Sequence, residues 1–286
     1  MQAISIPLIA LSVYLSTMHI SAVFASPQYE PRAAAEVITS CTVDNVVALT
    51  FDDGPSDYME DVVNKLKAVG GKGTFFINGN NGRSINNEPL PTYIKYAYDN
   101  GFQLGSHTWE HKDLATLGRE EINNQMSLTE EAIHKIIGVT PAFTRPPYGS
   151  YNDLVLEVAS QRRQSLVNWD FDSQDSENSP VETQKAAYDQ LIAKHPKSIL
   201  SLEHDTIQSS SAEVLPYAIE KLQAAGYKFV TVAECLSKAP YLDGSGGSNG
   251  DQGGSGGAGG WPQGGEGERG HETWKQHRRA IRKMIH

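Results

Sequence analysis

Positive charge, cysteine and long apolar runs are all scarce in this chain, and each scarcity removes a class of function. Lys and Arg number 24 against 34 Asp and Glu, a formal net charge of −10 over 286 residues. Nucleic-acid affinity rests largely on neutralising phosphates, so so acidic a body is not built for nucleic acid. A neutral or cationic partner suits it better. The imbalance is uneven, with 30 acids and 18 bases in residues 1–243 against 4 acids and 6 bases in 244–286. Beyond the N-terminus no run approaches the roughly 18 apolar residues of a membrane span, so no transmembrane span is expected in the mature chain. Only two cysteines are present, Cys41 and Cys235. In a secreted chain the natural reading of such a pair is one disulfide, which would close a loop of about 195 residues and in the chain-entropy model contribute up to roughly 5 kcal/mol.

The N-terminus lacks charge altogether. Met1 to Ala25 contain no Asp, Glu, Lys or Arg, carry an apolar stretch from Ile4 to Tyr14, and end in Val23-Phe24-Ala25, with small residues where signal peptidase needs them. This predicts a signal peptide over 1–25, a mature start at Ser26, and a secreted protein, extracellular or associated with the cell wall. At the other end, 12 of the 26 glycines fall between Gly244 and Gly265, a stretch with no Val, Ile, Leu, Phe, Tyr or Met. Such a stretch cannot build a core. It predicts a Gly/Ser-rich linker over 241–265 and a basic tail over 266–286 that holds Trp274, Lys275, Arg278, Arg279, Arg282 and Lys283. The tail has no hydrophobic end that would signal a lipid anchor. Between lie a short lead over 26–40 and one domain over 41–240.

Within that domain, β-rich runs alternate with amphipathic ones. The predicted strands are Val46 to Phe51, Gly73 to Ile77, Phe102 to Ser106, Ala142 to Thr144, Ser165 to Trp169, Ser198 to Glu203 and Lys228 to Val232. The predicted helices, with apolar residues at three- and four-residue steps, are Tyr58 to Val69, Pro91 to Asn100, Arg119 to Ile137, Asp153 to Gln161, Val181 to Lys194 and Ala212 to Ala225. Seven strands separated by six helices read as an α/β fold with a mostly parallel sheet, open or closed into a barrel. Either form places ligands beyond the C-terminal strand ends.

Five of those ends carry residues with no packing reason. The first strand runs into Asp52-Asp53-Gly54-Pro55, where adjacent carboxylates repel unless a cation or a shared proton separates their roles. The third ends in His107-Thr108-Trp109-Glu110-His111, whose imidazoles at i and i+4 share a face on a helical turn and can hold one metal. After the fourth comes Arg145-Pro146-Pro147-Tyr148, a guanidinium between rigid prolines suited to gripping a carboxylate. The fifth leads into Trp169-Asp170-Phe171-Asp172-Ser173-Gln174-Asp175, and the sixth ends in His204-Asp205. Asp, His and Arg delivered by five separate strand ends are the residue types of metal-assisted hydrolysis.

These five segments resemble, in order, the motifs of the polysaccharide deacetylase family, also called the NodB homology domain or carbohydrate esterase family 4, and within it the fungal chitin deacetylases. The resemblance covers roughly Cys41 to Leu236. It implies a distorted (β/α) barrel of about seven parallel strands with surrounding helices, and a site at the C-terminal strand ends. It implies that Asp53, His107 and His111 hold one divalent metal ion, zinc or else cobalt, that Asp52 is the general base oriented by Arg145, and that His204 is the general acid with Asp175 fixing its tautomer. The backbone N–H of Tyr148 would stabilise the oxyanion, Leu202 would line the acetyl pocket, and Trp109 or Trp169 would cover substrate. Cys41 and Cys235 resemble the disulfide pair of the fungal members. One departure stands out: where the family's fourth motif usually carries an aromatic residue, this chain has Ser176, which leaves one pocket wall open.

The implied activity is hydrolysis of N-acetyl groups in chitin or chitooligosaccharides by a monomer. Acetylxylan and peptidoglycan are alternative substrates. A carbohydrate-binding wall protein that keeps the fold without catalysis is the alternative of a different class.

Overall fold

Alternating short apolar runs and amphipathic segments fold into strands and helices that follow one another along the chain. The structure, a computed structural model, describes residues 33–242. The predicted signal peptide, most of the predicted linker and the basic tail lie outside the described residues. In chain order the elements are β1 (Val37–Ile38), β2 (Val46–Ala48), β3 (Thr50–Gly54), α1 (Met59–Ala68), β4 (Thr74–Ile77), α2 (Leu90–Asp99), β5 (Gln103–Ser106), α3 (Arg119–Ile137), β6 (Phe143–Thr144), α4 (Asp153–Gln161), β7 (Ser165–Val167), β8 (Phe171–Asp172), α5 (Val181–Lys194), β9 (Ser198–His204), α6 (Leu215–Ala224), β10 (Lys228–Phe229) and α7 (Val232–Leu236).

Every strand pairs in parallel. The predicted first strand is split at Leu49 into β2 and β3, and both lie along β9. β4, β5, β6 and β7 follow β3 in order. The run from Ser165 to Asp172 then pairs with β6 through β7 and with β9 through β8, so the strands close into the distorted barrel that the resemblance implies. Parallel strands buried on both faces need apolar residues throughout, and Thr74-Phe75-Phe76-Ile77 of β4 is buried at every position.

The helices bury one stripe each. Met59, Val62, Val63 and Leu66 of α1 recur at helical spacing and are fully buried; each such side chain contributes roughly 1.5–3 kcal/mol. Phe75 joins this outer cluster, whereas its neighbour Phe76 points into the barrel. The ring of Phe76 demands Gly105 on the adjacent strand, because a Cβ there would lie 2.6 Å from it.

The folded unit extends past both sequence-based edges. β1 pairs Val37 with Leu166 upstream of Cys41. Downstream, the backbone N–H of Leu242 donates to Thr140 and the Tyr241 hydroxyl accepts from the Leu104 N–H. α7 replaces the end of the predicted last strand, since Thr231 and Glu234 form a reciprocal cap that starts a helix at Val232. Cys41 and Cys235 are disulfide-bonded and join the segment after β1 to α7. No helix among the described residues is long and apolar enough to cross a membrane.

Candidate active site

In a regular strand adjacent side chains face opposite ways, so Asp52 and Asp53 can share a cleft only if the strand is broken between them. The register of β3 against β4 shifts between Phe51 and Gly54, and Asp53 has φ 68°. Both carboxylates then approach the same imidazole: His107 Nε2 lies 3.7 Å from Asp52 Oδ2 and 3.6 Å from Asp53 Oδ1.

His107 and His111 meet, but not on the helical turn their spacing suggested. The segment after β5 is a loop, bent by positive φ at Thr108 and His111 and held by Asn78 Nδ2, which donates to the carbonyls of His107 and Thr108. His107 Nδ1 lies 2.8 Å from the carbonyl of Arg145. A carbonyl only accepts, so Nδ1 carries the proton and Nε2 offers a lone pair to the cleft. Burial pushes His111 down to about 4 despite Asp53 beside it, which keeps this ring neutral. Its Nε2 is 3.3 Å from Asp53 Oδ1.

These three residues are the metal-type cluster found among the described residues, with their donor atoms within 4.8 Å of one another. Ligands about 2.1 Å from a tetrahedral ion stand about 3.4 Å apart. The spacings of 3.3 and 3.6 Å from the two imidazoles to Asp53 Oδ1 are close to that value. Two imidazoles and one carboxylate match the donor set of a zinc site with open positions.

Arg145 is fully buried beside this cluster, its guanidinium 4.3 Å over the Phe76 ring. Its Nη1 donates to Asp52 Oδ1 at 2.9 Å, while Nε and Nη2 are tied to the carbonyls of Val167 and Asn168 at 3.1 and 3.0 Å. With its donors fixed by the backbone, the fork cannot follow a moving carboxylate; Asp52 must come to it.

On the neighbouring strand, His204 at the end of β9 is the register partner of Asp52 and puts Nδ1 2.8 Å from Asp175 Oδ1, and the other oxygen of Asp175 accepts from the His204 backbone N–H at 2.7 Å and from Ser210 at 2.9 Å. Burial alone would lower the His204 pKa, but the charge and hydrogen bond of Asp175, with Asp53 and Asp52, outweigh it and push the ring up to about 10. The other nitrogen, Nε2, is 3.9 Å from Asp53 Oδ2.

One cleft is lined by Asp52, Asp53, His107, His111, Pro146, Tyr148, Trp169, Leu202 and His204. Tyr148, with φ 62°, turns the chain after the two prolines and sets its ring edge-on to His111. Trp109 is elsewhere: its ring packs on Gly79, where a Cβ would come within 1.8 Å, and it is not among the cleft's lining residues. Asp170 accepts from the Leu200 N–H and so serves the β8–β9 closure. Sequence reasoning missed Ser210, whose hydroxyl supports Asp175, because a serine before a helix carries no distinguishing pattern.

A parallel barrel that sets a fixed carboxylate and a charged imidazole in one cleft with a cluster of metal-type donors is the framework of a hydrolase with separate base and acid. The comparisons narrow this. A polysaccharide deacetylase family model matches residues 39–165. A chitin deacetylase of Pestalotiopsis sp is 36% identical over 218 residues, 75% of this chain and 72% of that protein. A peptidoglycan-N-acetylglucosamine deacetylase of Bacillus cereus is 33% identical, over 65% of this chain and 66% of its own length. The solved chitin deacetylase of Colletotrichum lindemuthianum superposes with a TM-score of 0.68 at 31% identity, covering 73% of this chain and 96% of that one. This chain belongs to the polysaccharide deacetylase family.

Proposed function

We propose that this protein removes N-acetyl groups from N-acetylglucosamine residues of chitin or chitooligosaccharides, giving acetate and the free amine. The observation that carries the reading is that Asp52 and His204, register partners on β3 and β9, line one cleft together with the Asp53, His107 and His111 donors. A divalent metal, zinc by this donor set and cobalt as the alternative, would polarise the amide carbonyl and make water a usable nucleophile near neutral pH.

The chain's own groups supply the rest. Asp52 has one oxygen tied to Arg145 and the other turned to the cleft, so it takes the proton of the attacking water as the C–O bond forms. Asp175 holds the proton on His204 Nδ1, and the imidazolium Nε2–H faces the cleft. As the C–N bond breaks, that proton passes to the departing amine. The Tyr148 backbone N–H donates to the developing oxyanion. Leu202 and Trp169 give the acetyl methyl an apolar wall. By the same reading the protein is secreted through residues 1–25 and acts outside the cell or at the wall.

Acetate release from chitin oligomers, acetylxylan and peptidoglycan separates the substrates. Fastest release from chitin oligomers is expected. Preference for either other polymer replaces chitin in the reading, and firm chitin binding with no acetate released when zinc is supplied identifies a non-catalytic wall protein.

A further inference from the structure

Thr50 and Asp52 stand two residues apart on β3, so their side chains share a face, and Arg145 reaches both. Nη1 of Arg145 donates to Asp52 Oδ1 at 2.9 Å and to Thr50 Oγ1 at 2.5 Å. Thr50 Oγ1 in turn donates its single proton to the carbonyl of Ser201, on the neighbouring strand β9. A hydroxyl whose proton is committed to a backbone carbonyl presents only lone pairs to the guanidinium. The arrangement continues inward: the Thr50 N–H donates to Ser201 Oγ at 3.3 Å, Ser201 Oγ donates to Glu203 Oε1 at 3.2 Å, and the Tyr188 hydroxyl donates to that same oxygen. Thr50, Arg145, Ser201, Glu203 and Tyr188 are all at most 1% exposed, so water does not compete for these bonds.

We infer that Thr50 is a positioning residue for the deacetylation: its hydroxyl, oriented by Ser201, holds Arg145 Nη1 from the side away from the cleft and thereby fixes the angle at which Asp52 meets water. This rests on the reading of Asp52 as the base. Val167 and Asn168 anchor two other corners of the guanidinium, and Thr50 anchors the corner that touches Asp52.

Thr50→Val keeps the shape and removes the hydroxyl. In the zinc-loaded protein acting on chitin oligomers, the expected result is a fall in kcat of about 10- to 100-fold with KM within about twofold of wild type, unchanged zinc content and a folded circular-dichroism spectrum. Thr50→Ser, which keeps the oxygen, restores kcat to within about threefold. Added to Asp52→Asn, Thr50→Val lowers the residual rate no further, because its path to the reaction is already cut. If Thr50→Val does not fold, Thr50→Ala carries the same three comparisons. Wild-type kcat in Thr50→Val, an equal loss in Thr50→Ser, or an additive loss in the Asp52→Asn background overturns the inference. Undiminished turnover by Asp52→Asn alone overturns the base assignment and the inference together, whereas loss in Asp52→Asn beside normal turnover in Thr50→Val overturns the inference only.

Discussion

Replacing Arg145 by methionine, similar in length and uncharged, isolates what its guanidinium does for the barrel. Arg145 is 0% exposed and Asp52 2%, so the substitution leaves a carboxylate buried without the cation that now sits 2.9 Å away. Breaking a buried pair from one side costs about 3–5 kcal/mol. The carbonyls of Val167 and Asn168 also lose their donors, at about 1 kcal/mol each. Against this, burial itself disfavours the charged Arg145, and a thioether against Phe76 recovers apolar contact. A net loss of about 3–5 kcal/mol follows, a large share of the roughly 5–15 kcal/mol that holds a domain together. The assay is urea denaturation of the chelated protein at pH 7, followed by circular dichroism, for wild type, Arg145→Met, Asp52→Asn and the double variant. With an amide in place of the carboxylate the stranded charge disappears, so the double variant should be more stable than Arg145→Met by about 2 kcal/mol. A loss below about 1 kcal/mol in Arg145→Met, or two substitutions whose effects simply add, would refute the reasoning.

Three other measurements probe separate parts of the structure. Gly79→Ala places a methyl within 1.8 Å of the Trp109 ring and should lower stability by about 1–3 kcal/mol, read as a lower melting temperature; an unchanged melting temperature contradicts that packing. Replacing Cys41 and Cys235 by serine opens a clasp across a separation of 194 residues and should cost about 2–5 kcal/mol, seen as a shift of the urea midpoint. Burial pushes Glu203 from the usual 4.5 up to about 7. The folded form then keeps a proton that the unfolded chain has lost, so the contribution of Glu203 to stability falls as pH rises from about 4.5 to about 7 and is constant above. Asp205 is pushed up to about 7 by burial as well, so Glu203→Gln should show a shallower fall in urea titrations of the chelated protein rather than none, and parallel profiles for the two would count against the burial argument.

The strand-end site was legible because its residues interrupt a pattern. Asp52-Asp53 closes an apolar strand with charge, and His204 does the same for β9, so neither fits a packing role. What was hidden depends on partners distant in sequence. β1 is two residues long and becomes a strand only by pairing with Leu166 and Val167. α7 did leave a trace, the Thr231 to Glu234 spacing of a reciprocal cap, but Val230 and Val232 read equally well as strand. His107 and His111 were paired rightly by spacing and wrongly by geometry, since left-handed backbone at Thr108 and His111, rather than a helical turn, brings them together. Thr50 and Ser201 looked like ordinary β residues; the hydrogen bonds of Thr50 to Arg145 and to Ser201 exist only once β3, β9 and the loop after β6 are side by side. Trp109 shows the converse, an aromatic beside the site motif whose partner is Gly79.

The central claim is that Asp52 drives hydrolysis of an acetamide beside a metal held by Asp53, His107 and His111. Acetate released from chitin oligomers, measured for wild type and Asp52→Asn with zinc content determined on the same samples, tests it most directly. The account predicts acetate from the zinc-loaded wild type, none after chelation, recovery on adding zinc back, and in Asp52→Asn a full complement of zinc with nearly all turnover gone. Near-wild-type acetate release by Asp52→Asn, or by the chelated wild type, would contradict it.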